Sequence, residues 1–171
     1  MSIGNYIKFL LKSTNEHSVH SPFIYLFVTQ CLYNSNLSNK KKLSSNINIS
    51  KKQQQLLLRI ISYLKIKIIF TDELSLNEHY FISKNYCVKN HLSSKFDLLF
   101  VNHPNDNLEE YLKYMHNDSI LIINNIHYKQ NKVLWNSIIK HPSVTAFIDV
   151  YWQGYIFIRK EQPKESFCIR V

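Results

Sequence analysis

Glycine is nearly missing from this chain: Gly4 and Gly154 are the only two among 171 residues. Glycine alone lacks a Cβ and takes positive φ without strain, so no turn between those two positions can use it to let backbone approach a ligand closely. Cysteine is also sparse. Cys31, Cys87 and Cys168 are odd in number, far apart and in no CxxC arrangement, which excludes a disulfide framework and a zinc site built on paired thiolates. They read as small apolar residues in a reducing compartment. No apolar run approaches the roughly 18 residues of a membrane span. The short stretch Tyr6 to Leu11 is broken by Lys8 and lacks a basic lead-in or a small-residue cleavage site. A cytoplasmic location and no membrane partner are expected.

Acidic residues are few: 12 against 21 Lys and Arg, a formal charge of +9. Clustered basic residues would signal phosphate binding, because they release counterions from nucleic acid. Here the lysines are dispersed, and Lys40-Lys41-Lys42 is the only tight run. A basic binding module for RNA or an acidic protein is therefore the alternative reading, and the dispersion favours general compositional drift toward Lys, Asn and Ile. Apolar residues are plentiful: 45% hydrophobic, with eleven Tyr and ten Phe. A chain of this length hides about 70% of its unfolded surface on folding, enough for a core without staples.

Periodicity divides the chain near residue 50. Ile3, Tyr6, Ile7, Leu10 and Leu11 fall at helical spacing over Ile3 to Lys12. Ser21 before Pro22 is a helix start, predicting a second, mostly buried helix over Pro22 to Leu32. Residues 34–50, rich in Ser, Asn and Lys, read as a connector, so residues 1–50 form an N-terminal helical piece and residues 51–171 the main α/β domain. A third helix is expected over Lys51 to Leu64, capped by Ser50.

Beyond it, short apolar runs alternate with helices, the sign of a mainly parallel sheet covered on both faces. Strands are expected at Ile66 to Thr71, Phe96 to Asn102 and Ser119 to Asn124, with helices at Asn107 to Met115 and Lys129 to Lys140. The runs Val144 to Val150, Tyr155 to Arg159 and Phe167 to Val171 are separated by turns at Gln153-Gly154 and Gln162-Pro163. Those connections are too short for crossover helices, which predicts antiparallel pairing.

Two segments carry a resemblance. His17-Ser-Val-His-Ser-Pro-Phe23 resembles a signature near the start of a group of bacterial class I S-adenosylmethionine-dependent methyltransferase-like proteins. Asp118 to Val171, above all the ending RKEQPKESFCIRV, is similar to the C-terminal strands of the same group, as is FDLLFVN. The resemblance implies a Rossmann-like methyltransferase fold, a mainly parallel sheet ending in an antiparallel β-hairpin, with S-adenosylmethionine as cofactor if the protein is active. The methyl acceptor, small molecule or macromolecule, stays open.

Departures from that pattern bear on activity. The family follows its first strand with a glycine-containing turn, where this chain has IKIIFTDELSLN. The stretch between Glu73 and Phe96 looks too short for the family's second strand and its ribose-binding acid. Acidic residues that the family places after two strands are replaced by Asn102-His103 and Asn124-Asn125-Ile126-His127. Asparagine offers a neutral carbonyl oxygen where a hard cation needs charge, so no metal site is expected. The implied protein is a degenerate methyltransferase with weak or no cofactor binding.

Open α/β sheets bind ligands beyond the carboxyl ends of their strands, which puts Thr71, Asp72, Glu73, Asn102 and His103 on a candidate cofactor rim, with Asn124, Asn125 and His127 beside them. His127 is a candidate general base, weighed against a structural role. His17 and His20 bracket a helix start, fit to contact an anion or to anchor the N-terminal helices. Trp135 is expected to pack. Tyr151-Trp152, read as a partly exposed hairpin turn, is a candidate surface for a homo-oligomer.

Overall fold

A computed structural model describes residues 3–16, 19–38, 49–72, 86–105 and 107–171. Glu73, His17 and the Lys40-Lys41-Lys42 run lie outside the described residues.

Among the described residues four α-helices are built as their sequences dictate. Helix α1 spans Ile3–Lys12. Helix α2 starts at Pro22, with the Ser21 side chain accepting from the Ile24 N–H, and runs as Pro22–Leu26 before widening into a π-helical turn over Phe27–Leu32. Helix α3, Lys51–Tyr63, opens with a reciprocal capping box: Ser50 accepts from the Gln53 backbone while the Gln53 side chain accepts from the Ser50 backbone. Helix α4 is Lys129–Ile138. The helix expected over Asn107 to Met115 is instead a 3-10 segment, Leu108–Tyr114.

Among the described residues seven strands form one sheet: β1 Ile68–Thr71, β2 Cys87–Lys89, β3 Phe96–Val101, β4 Met115–Asn124, β5 Ala146–Asp149, β6 Gln153–Phe157 and β7 Glu165–Cys168. Their order is β2-β1-β3-β4-β6-β5-β7. Strands β2, β1, β3 and β4 are mutually parallel, and β6 lies antiparallel between β4 and β5. The fold is α/β, mostly parallel, with an antiparallel hairpin near the C-terminus.

The structure departs from the sequence pattern in three places. A second strand does exist, because Cys87–Lys89 pairs with β1 despite the short spacing. The Gln153-Gly154 pair lies inside β6, and the chain reverses at Val150 to Trp152 instead, with Val150 N–H donating to Gln153 O. Strand β7 pairs with β5 in parallel. The physical reason is that β6 fills the space between β4 and β5, so only the outer edge of β5 is open; a strand reversing direction after β6 then runs parallel to β5.

Alternation along the strands feeds two cores. In β3, Leu98 and Phe100 face a cluster containing Ile24, Phe27, Cys31, Leu32, Leu57, Ile60 and Ile61, whereas Leu99 and Val101 face one containing Leu108, Tyr111, Leu112, Trp135 and Ile138. The N-terminal helix α2 and the sheet therefore share one hydrophobic cluster. Its contact with the C-terminus is specific. Ser21 and Gln162 exchange side-chain hydrogen bonds, the Arg159 guanidinium lies 4.3 Å from the Phe23 ring centre, and Thr14 bridges to Ile169 beside β7. A cation over an aromatic face contributes about 0.5–1 kcal/mol when exposed. Ser21 and Phe23 of one segment that carries the resemblance thus touch Arg159 and Gln162 of the other, and the described part of the first segment anchors the N-terminal helices.

Asp97 ties the other end of the sheet together. Its Oδ2 accepts from the Lys67 and Ile68 N–H groups at 2.8 and 2.9 Å, and its Oδ1 lies 2.9 Å from His116 Nε2. Burial alone would raise this carboxyl, but the two backbone donors and His116 outweigh it and hold Asp97 below the usual carboxylate range. A depressed folded-state pKa stabilises the fold at every pH above the unfolded carboxylate value near 3.9, and the contribution disappears as pH falls through the folded value. Urea unfolding should show Asp97→Asn weaker than the parent by about 1–3 kcal/mol at neutral pH. That gap should close on acidification below pH ~4; a gap independent of pH would refute the assignment.

Gly154 faces Trp135, and a Cβ built there would sit 2.4 Å from Trp135 Cζ3. Trp135 is nearly buried and has little room to retreat. Gly154→Ala should therefore destabilise by about 1–3 kcal/mol as an overpacking change, seen as a thermal midpoint several degrees lower.

Candidate functional site

The rim residues are assembled by where the strands stop. Thr71 ends β1, Asn102 follows β3 and Asn124 ends β4, so parallel register brings them to one edge of the sheet. Both Thr71 and Asn124 are fully buried and Asn102 nearly so. Asp72 reaches across from β1: its two carboxylate oxygens accept from the Asn102 and His103 N–H groups at 2.7 and 2.8 Å. This carboxylate closes the turn after β3.

From there a chain of side-chain amides crosses the sheet. Asn124 Nδ2 donates to Asn102 Oδ1 (2.8 Å), Gln153 Nε2 donates to Asn124 Oδ1 (2.8 Å), and the Tyr155 hydroxyl donates to Gln153 Oε1 (2.9 Å). Asn102 Nδ2 lies 3.3 Å from His103 Nε2 at the outer end. Polar groups removed from water must be paired, and this ladder pairs them from β3 through β4 to β6. Burial pushes the Tyr155 hydroxyl well above its ordinary titration range, so it stays a donor. Sequence reasoning found Asn102 and Asn124 but missed Gln153 and Tyr155. The available signal was a single amide at the boundary of each apolar run, obscured because Gln153 was assigned to a turn.

Asn125 and His127 belong to neighbouring but separate arrangements. Asn125 takes φ 56°, a left-handed conformation asparagine tolerates, and its N–H donates to Trp152 O at 2.7 Å. Gln53 Nε2 donates to that same Trp152 carbonyl and to Asn125 Oδ1. Together with Lys52, Tyr128 and the Trp152 ring, these residues line an open groove of about 550 Å³.

His127 Nε2 lies 2.8 Å from Asp149 Oδ2, while Asp149 Oδ1 accepts from the Tyr151 N–H at 2.7 Å. The His127 ring stacks on Tyr151 at 4.8 Å, and Phe9 and Tyr6 of α1 pack on the same tyrosine. Tyr151 is 1% exposed, contrary to the partly exposed turn expected from sequence, because α1 folds over it. Trp152, its neighbour in the turn, stays partly exposed as expected. The polar end of the His127 ring is held by a carboxylate and its face is covered by an aromatic ring, a geometry that positions the turn after β4. His20 lines a different cleft, beside Lys12, Asp149 and Cys168. Burial pushes the Cys168 thiol up to about 11, and Cys31 higher still, so neither is a poised thiolate.

Among the described residues, no group of three or more His, Cys, Asp or Glu side chains could hold a metal ion. The carboxyl end of β2 presents Lys89 and Asn90.

The ladder makes a measurable demand. Replacing Asn124 by Leu removes the donor to the Asn102 side-chain oxygen and the acceptor of the Gln153 amide, and a buried polar group left unsatisfied costs ~1–3 kcal/mol. Denaturant midpoints should show a large loss for Asn124→Leu, partly recovered in Asn124→Leu/Gln153→Leu; additive losses would mean the two amides are uncoupled.

Comparison of the chain with protein-family models, with curated proteins and with solved structures finds no match.

Proposed function

We propose that this protein is a S-adenosylmethionine-dependent methyltransferase-like chain that keeps the family's architecture and binds the cofactor weakly or not at all. The architecture is supported by a mostly parallel sheet with helices on both faces, closed by β6 as an antiparallel strand between β4 and β5. The observation that carries the loss of cofactor binding is the fate of the rim. Asp72, the acid directly after β1, spends both oxygens on backbone N–H groups of the next strand's turn. Asn102 and Asn124, which occupy the ends of β3 and β4, are tied to each other and to Gln153.

The residues present do not fit the cofactor. The β1 end has no glycine to admit the methionine portion, and the β2 end has no acid to hold the ribose hydroxyls. Polar side chains that a cofactor would engage are satisfied within the protein, and displacing them would leave buried amides unpaired.

Calorimetric titration with S-adenosylmethionine and with its demethylated product, backed by thermal shift, tests the reading. The expected result is no saturable heat and no stabilisation at millimolar ligand. Binding would reveal itself, since a ligand at 100 times its Kd stabilises the folded state by about 2.7 kcal/mol. Saturable binding would restore an active methyltransferase and direct the search to its acceptor.

A further inference from the structure

Helix α1 is amphipathic, yet the fold covers only part of its apolar arc. Phe9 is buried against Tyr151, and Tyr6 leans on the same ring. Ile7 and Leu11, one turn apart on the outward side, are 51% and 82% exposed. Exposed Lys8 and Lys12 accompany them on the same helix. Asn5 of α1 lines one groove with Lys129, Lys132 and Val133 of α4, which sets the two helices side by side, and Val133 is itself 70% exposed. Neither helix contains an acidic residue. The result is a surface that presents aliphatic side chains with Lys8, Lys129 and Lys132, on a chain of charge +9, while Lys12 lines the cleft with Asp149 and Glu165 and Glu109 borders Val133 on its other side.

We infer that this face docks on an anionic lipid surface, with Ile7, Leu11 and Val133 entering the boundary between headgroups and acyl chains. Lys8, Lys129 and Lys132 would meet lipid phosphates. Interfacial helices bind through this combination of buried apolar area and attraction to anionic lipid. At ten residues α1 is about 15 Å long, suited to lying on a bilayer. Among the described residues no helix is long and apolar enough to cross one. A second copy of the chain fits this face poorly, because a two-fold interface would set lysine against lysine. Nucleic acid would satisfy the lysines but leave the exposed leucine and isoleucine in water.

Co-sedimentation of the full chain with phosphatidylglycerol-containing vesicles tests the assignment, with pure phosphatidylcholine vesicles alongside. Binding is expected to the anionic vesicles at low salt, and to weaken at least about tenfold in high salt or on neutral vesicles, since each lysine near an anionic surface contributes roughly a factor of five. Ile7→Glu/Leu11→Glu should lose binding by at least about tenfold while keeping the parent's circular dichroism and thermal midpoint, because both side chains are outside the core. Leu11→Gln alone serves if the double variant is unstable, and should weaken binding in the same direction. Failure to bind anionic vesicles at low salt, or binding untouched by these variants, overturns the inference. So does a self-association abolished by the variants without vesicle binding, and so does binding to polyuridylate in place of vesicles.

Discussion

Strand β6 runs between β4 and β5 with all five of its residues buried, and every polar atom it carries must find a partner inside the protein. That constraint organises the carboxyl end of the sheet. Gln153 opens β6 and Tyr155 follows two residues later on the same face, so the hydroxyl reaches the Gln153 carbonyl and the amide turns to Asn124. Asn124 in turn needs Asn102, and the turn after β3 needs Asp72. An edge that open α/β sheets usually leave available to ligands is here committed to holding four strands in register. The same donors and acceptors cannot turn to a ligand at that edge without leaving buried groups unpaired.

The glycine shortage has a structural counterpart. Three described residues take positive φ and none is glycine: Lys65 at 53°, Asn125 at 56° and Tyr151 at 71°. Left-handed backbone costs a side-chain-bearing residue of order 1 kcal/mol or more, and it persists where surroundings over-determine it. Around Tyr151 they do, with Asp149 accepting its N–H and with His127, Phe9 and Tyr6 against its ring. Meanwhile Gly154 is used where a side chain cannot fit, under the Trp135 ring.

The two ends of the chain depend on each other. Ser21 with Gln162, Phe23 with Arg159, and Thr14 with Ile169 connect segments well over a hundred residues apart. The outer edge of β7 is thereby met by N-terminal backbone, with Thr14 N–H donating to Cys168 O and Arg170 N–H to Thr14 O. Covering an edge strand removes unpaired donors and acceptors that would otherwise template aggregation.

Local pattern determined much of this protein by itself. Helical spacing and the Ser21-Pro22 and Ser50 caps located α1, α2 and α3, and apolar runs located β1, β3 and β4, because helix starts and buried strands are written in neighbouring residues. The same apolar runs implied an α/β sheet covered on both faces and placed Thr71, Asp72, Asn102 and Asn124 at one rim. Tertiary structure alone decided the rest. The insertion of β6 between β4 and β5 turned the pairing of β7 parallel, moved Gln153 from a presumed turn into the core, and completed the amide ladder. The packing of α1 hid Tyr151 and left Leu11 in water. Those outcomes depend on which surfaces meet across the sheet, and a sequence records each partner without recording that they face one another.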